Sequence, residues 1–217
     1  MRERDDGWPR LPPGPLGLGH EPLSDLLARR LLAERVVLLQ GPLDELSGTR
    51  VAAELMTLDA DGDEPVTLRV DCAAAGLGPA LTLMDVIELM GVPVRALCLG
   101  QVGAGAIGVV AVCAHRAAMP STRFSLCEPA TEFQSHVRNV AQWAELRAAE
   151  LERFCARVGA ATGRPATAVE QDLGHGLFLG AAEALDYGIL DEVCRPDTPV
   201  GRLPGSGPTP MGFGPLR

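Results

Sequence analysis

Short β-branched runs, each closed by glycine or proline and followed by a stretch with helical spacing, set the narrowest limit on what this chain can become. Val36-Val-Leu-Leu-Gln40 ends at Gly41-Pro42. It precedes Asp44 to Leu58, where Leu46, Val51, Leu55 and Leu58 recur near a 3.6-residue period. Val66-Thr-Leu-Arg-Val70 and Val92 to Leu99 repeat the strand signal, with a helix from Leu81 to Met90, closed by Gly91, between them. Leu23 to Ala33 reads as a helix ahead of the first strand, and a helix from Ala104 to Ala114 opens out of a glycine-rich turn. Arg123 to Cys127 is a further strand, Glu132 to Thr162 a long charged helical tract, and Ala166 to Leu173 a short helix. Phe178 to Tyr187 makes a turn and helix before a last strand at Ile189 to Val193. Mostly apolar strands alternating with helices predict an α/β layered fold.

With 217 residues and 47% hydrophobic side chains the chain can bury one sizeable core. Aromatics are only 4%, so that core is built from Leu, Val, Ala and Ile. Proline and glycine crowd residues 1–22 and 196–217, which read as flexible arms around a domain spanning residues 23–195. The net charge of −9 opposes a nucleic-acid footprint. All 19 basic residues are Arg, as a strong nucleotide bias would give. None of the 6 cysteines has C-x-x-C spacing, so neither a zinc site nor a redox motif is expected, and no cofactor is implied. Most lie in apolar runs, as buried thiols of a reducing cytoplasm do. The start of the chain has no apolar signal-peptide core. The apolar run Val102 to Ala114 is well short of the roughly 20 residues that span a bilayer, so no membrane role is expected.

Gly100-Gln-Val-Gly-Ala-Gly-Ala-Ile-Gly108 stands out as a tight strand-to-helix turn. It has neither the spacing of a dinucleotide fingerprint nor the lysine of a phosphate loop. No serine occurs between Gly48 and Pro120.

The order and wording of these pieces resemble the proteolytic subunit of the ATP-dependent Clp protease over roughly residues 23 to 194. The resemblance rests on Leu32-Ala-Glu-Arg-Val-Val-Leu-Leu-Gln-Gly-Pro-Leu43, on Ile87 to Gln101, on Pro120 to Pro129 and on Ala161-Thr-Gly163. Its most specific segment is Phe178-Leu-Gly-Ala-Ala-Glu-Ala-Leu-Asp-Tyr-Gly-Ile-Leu-Asp-Glu-Val193. The resemblance implies a Clp-protease/crotonase-like fold, layered repeats of strand-strand-helix units with a protruding handle helix.

Serine peptidase chemistry needs a nucleophile, a base, an orienting carboxylate and oxyanion donors. Carried over by the resemblance, the nucleophile position is Ala104, the histidine position Cys127 and the aspartate position Gly176. The glycine pair of the oxyanion loop falls on Ala74 and Ala75, which disfavour conformations that glycines supply. No triad-equivalent position keeps its reactive group, so a non-catalytic member of the family is expected. A relocated hydrolase dyad of Cys127 and His175 is the first alternative. A crotonase-like acyl-CoA enzyme is the second, although the helix from Ala104 carries no carboxylate to serve it. Other groups fit less well. Ser121 and Ser125 lie at or in a strand, His115 is expected to cap the helix before it, and His136 sits on the polar handle. Asp44, Glu45 and Asp59 to Glu64 read as solvated acidic faces.

Clp-type subunits form heptameric rings that stack through their handles and receive an AAA+ unfoldase. The resemblance therefore implies that Glu132 to Thr162 is an assembly surface, with Val137, Val140, Trp143, Ala144, Leu146 and Leu151 as its apolar contacts. The expected partners are copies of this chain or active Clp subunits, and through them an unfoldase. Met211-Gly212-Phe213 resembles the docking loop of such unfoldases.

Overall fold

The structure is a computed structural model, and it describes residues 23–129 and 140–195. The elements run α1 (Leu23–Ala33), β1 (Val36–Gln40), α2 (Glu45–Asp61), β2 (Val66–Cys72), α3 (Leu77–Leu89), β3 (Val94–Gly103), α4 (Ala104–Ala111), β4 (His115–Ala118), β5 (Arg123–Leu126), α5 (Val140–Thr162), α6 (Ala166–His175), β6 (Leu177–Gly180), α7 (Ala181–Tyr187) and β7 (Glu192–Val193). The strands β1-β2-β3-β4-β7 form one parallel path. β3 changes neighbours along its length. Arg95 to Cys98 pair with β4, whereas Gln101 to Gly103 pair with β5, which in turn pairs antiparallel with β6. At the switch, the Cys98 carbonyl accepts from Met119 N at 3.1 Å and from the buried Thr122 hydroxyl at 3.0 Å.

Alternation along the strands divides the sheet. Val37, Leu39, Leu68, Val70, Ala96, Cys98 and Ala118 are buried in the main core with the helices. The intervening rows, such as Val36-Thr67-Arg95-His115 and Leu38-Arg69-Leu97-Ala117-Glu192, share the opposite face. There Leu97, Ala117 and Cys194, with Leu99 and Met119 against them, form a separate small cluster that contains no helix residue. Helix α4 meets α5 closely. A β-carbon at Gly108 would stand 2.9 Å from Met84 Sδ and overlap the Phe154 ring, which is itself 1% exposed.

Several expectations need correction. Helix α3 starts at Leu77, a turn earlier than its apolar spacing suggested, and α4 ends at Ala111. His115 does not cap that helix. It opens β4, a strand without sequence signal, whose partners on either side recruit it. Leu46 is 82% exposed, and the buried face of α2 is Gly48, Val51, Leu55 and Leu58. Asp44 is the N-cap of α2, in a reciprocal capping box with Ser47. Asp59, expected on a solvated acidic face, is half-buried in the last turn of α2, where its Oδ1 accepts from Gly91 N at 2.9 Å and Val92 N at 3.0 Å. Both arms, Ala130 to Asn139 with His136 and Val137, and the Met211-Gly212-Phe213 motif lie outside the described residues. Among the described residues no helix is long and apolar enough to cross a membrane.

Candidate functional site

Gly103 ends β3 and caps α4 without a side-chain hydrogen bond, so the first amides of the helix are left for other acceptors. Glycine is required there because a β-carbon would overlap the Ala73 carbonyl oxygen. Gly105 meets the same loop from the other side, where a β-carbon would lie 2.7 Å from Ala80 Cβ and 3.1 Å from the Gly76 oxygen. The loop is held by Leu43, whose N–H donates to the Ala74 oxygen at 2.9 Å and whose oxygen accepts from Gly76 N at 2.9 Å. Arg35 is the non-glycine residue with positive φ among the described residues, so Ala74 and Ala75 hold ordinary backbone conformations.

The register sets three chain segments side by side. Gly103 pairs with Ser125 of β5, and Ser125 pairs with Phe178 of β6. Ala104 begins α4 at one flank, Cys127 follows β5 in the middle, and Gly176 precedes β6 at the other flank. A β-carbon at Gly176 would come 3.9 Å from Cys127 Sγ. Thus the positions assigned from sequence to a histidine and an aspartate are spatial neighbours.

Their chemistry is a different matter. Cys127 is partly exposed, whereas the other cysteines are buried. Its Sγ lies 2.9 Å from Ser125 Oγ. Residues two apart along a strand share a face, and that spacing is the sequence signal for the contact of Ser125 with Cys127. His175 is in the last turn of α6 with an exposed side chain. Among the described residues no hydrogen bond joins Cys127 to His175, nor any hydroxyl or thiol to a histidine. Elsewhere, burial raises the thiols: Cys113 is pushed up to about 12, and Cys155 to about 11 with Glu170 and Glu128 adding to the effect. No group of His, Cys, Asp and Glu among the described residues is arranged to hold a metal ion. α4 contains no carboxylate. Tyr187, beneath the Arg164 guanidinium, donates to Asp172 Oδ2 at 2.6 Å. Burial and that carboxylate raise its pKa and keep it a neutral structural phenol.

A family model described as Clp protease matches residues 20–197. The chain is 28% identical over 189 residues to the ATP-dependent Clp protease proteolytic subunit 2 of Thermobifida fusca, covering 84% of this chain and 92% of that protein. It is 30% identical over 187 residues to the proteolytic subunit 1 of Nocardia farcinica, covering 82% and 91% respectively. It is also 30% identical over 172 residues to the subunit 1 of Corynebacterium glutamicum, covering 76% and 81%.

Proposed function

The chain belongs to the Clp protease family, and from that premise we propose that it is a non-catalytic, cytoplasmic subunit acting by assembly. It joins a ring with copies of itself or with active Clp subunits, and through that ring it meets an AAA+ unfoldase. One observation carries the reading. Where the family resemblance places nucleophile, base and carboxylate, the chain has Ala104, Cys127 and Gly176, in a frame whose strand register sets Gly103, Ser125 and Phe178 side by side. A methyl group and a glycine can neither attack an acyl carbon nor orient a base. Assembly draws support from α5, whose first half leaves Val140, Trp143 and Leu146 exposed at helical spacing.

The test uses the purified chain in a fluorogenic peptide assay, alone and after thiol alkylation, alongside native mass measurement with and without an active Clp proteolytic subunit. The expected result is no turnover in either state and a ring-sized or mixed oligomer. Alkylation-sensitive turnover would instead assign the hydrolysis to Cys127. A monomer at micromolar concentration that ignores the active subunit would remove the assembly role.

A further inference from the structure

Helices α2, α3 and α5 flank a groove of about 580 Å³ that shares no residue with the site at Ala104, Cys127 and Gly176. Close packing fixes its floor. Gly48 of α2 sits on Pro79 of α3, where a β-carbon would lie 3.3 Å from Pro79 Cβ. At Gly78 a β-carbon would meet nothing within 4 Å, so the missing side chain leaves open space in the groove. The wall is pinned as well, since Arg157 of α5 pairs with Asp85 and, at 3.4 Å, with Glu88 of α3. The volume falls within the roughly 300–1,000 Å³ of small-molecule sites. Charge and hydrogen-bonding capacity are left over here. Arg153 Nε donates to the Ala149 oxygen of its own helix at 3.2 Å, and among the described residues no carboxylate pairs with its guanidinium. Glu150, three residues earlier on α5, and Glu45 of α2 line the same space with no ion pair among the described residues. Thr49 and Thr82 donate their hydroxyl protons to the Glu45 oxygen at 2.7 Å and the Gly78 oxygen at 3.1 Å, which leaves their own oxygens as acceptors. The groove thus presents an excess of acceptors, two carboxylates among them, to one unengaged guanidinium.

We propose that this groove binds short peptides with free termini and a basic side chain. Arg153 takes the C-terminal carboxylate, Glu45 and Glu150 take the two ammonium groups, and the threonine oxygens accept from the peptide N–H groups. Pro79 and Leu81 give the aliphatic parts an apolar bed. A carboxylate offers the planar guanidinium two parallel acceptors. A ligand with two cationic groups neutralises both glutamates, and the net charge of −9 on the chain draws it in. A wholly anionic ligand would meet two unpaired carboxylates, and a wholly cationic one would meet Arg153, so the mixed lining selects for a ligand that carries both signs. This inference is independent of whether the chain hydrolyses peptides or joins a ring.

The experiment is an NMR titration of the full chain, at low ionic strength, with alanyl-lysyl-alanine and separately with its C-terminal amide. Saturable shifts are expected at the backbone amides of Gly48, Gly78 and Thr82. The free acid should bind about three- to five-fold more tightly than the amide, the gain of a solvent-accessible ion pair. Arg153→Gln should erase that difference by weakening the acid. Glu45→Gln with Glu150→Gln should weaken both peptides by a similar factor, because the amide keeps its ammonium groups. Circular dichroism shows that each variant folds. No saturable shift with either peptide, a preference for the acid that survives Arg153→Gln, or shifts gathered around Cys127 instead would overturn the proposal.

Discussion

Gly176 stands against Cys127: a β-carbon on the glycine would lie 3.9 Å from Sγ, and the glycine holds φ at +72°. An aspartate placed there enters the left-handed region, which Asp tolerates better than most residues. Gly176→Asp is expected to lower stability by about 1 kcal/mol, seen as a lower urea midpoint at constant slope. A loss of several kcal/mol would mean that the space beside Cys127 cannot take a carboxylate.

The same geometry bears on chemistry. Ala104→Ser, Cys127→His and Gly176→Asp, introduced together, should yield peptide hydrolysis above the parent, whereas each alone should yield none, because such groups act as a unit. The measurement is turnover of a fluorogenic peptide, with circular dichroism to show that each variant folds. Full activity from Ala104→Ser alone would mean that another residue already serves as base.

Thiol accessibility gives a sharper check of the packing. Cys127 is partly exposed while Cys72, Cys98, Cys113, Cys155 and Cys194 are buried, and burial raises the pKa of each of those five. Reaction of the native protein with an aromatic disulfide at pH 8 should show one fast thiol per chain. Cys127→Ser should abolish that phase and leave the slow ones unchanged.

Gly108 and Phe154 are predicted to be coupled in stability. The methyl of Gly108→Ala would press on the Phe154 ring and Met84 Sδ, at an expected cost of about 1–3 kcal/mol. Phe154→Leu should relieve part of it, so the two losses should fall short of additivity in a double-mutant cycle.

Arg116 and Asp191 set a dependence on pH. Arg116 binds both oxygens of the carboxylate and also donates to the Ala161 oxygen at 3.2 Å and the Gly188 oxygen at 3.0 Å. The guanidinium holds the Asp191 carboxyl below its ordinary range. A carboxylate with a depressed folded pKa stabilises fully above its unfolded value, near 3.9, and the contribution fades as pH falls through the folded value. Because Asp191 is 38% exposed, solvent screening keeps this contribution to about 1 kcal/mol or less. Asp191→Asn should therefore be less stable than the parent at neutral pH, and the gap should close below about pH 4.

The parts that were legible in the sequence are those where local pattern and tertiary context agree. Val36 to Gln40 is predicted and found with the same bounds, because a β-branched run between polar turns has one good use. β4 was not legible, since His115-Arg-Ala-Ala118 contains no β-branched residue and becomes a strand only through the ladders of β3 and β7. The first turn of α3, Leu77-Gly-Pro-Ala80, lies ahead of the helix that apolar spacing predicts from Leu81, and proline is well accommodated in the opening turn of a helix. At the site, the residue types at Ala104, Cys127 and Gly176 could be read directly. The closeness of the last two follows from the β5–β6 register, and the Ser125 contact follows from strand geometry that a linear reading passed over.

β3 has two sets of neighbours. Its first half is embedded in the main path, whereas Gln101 to Gly103 pair with β5 of the antiparallel β5–β6 pair, whose Phe124 and Leu126 are also buried in the main core. The strand pair that brings Cys127 beside Gly176 is thus a bracket on the wall, joined to it by a short ladder and by the buried Phe124 and Leu126. Such a bracket can be stripped or refitted by substitution while the wall stands, which makes the molecule a natural host for chemistry removed, replaced or put back.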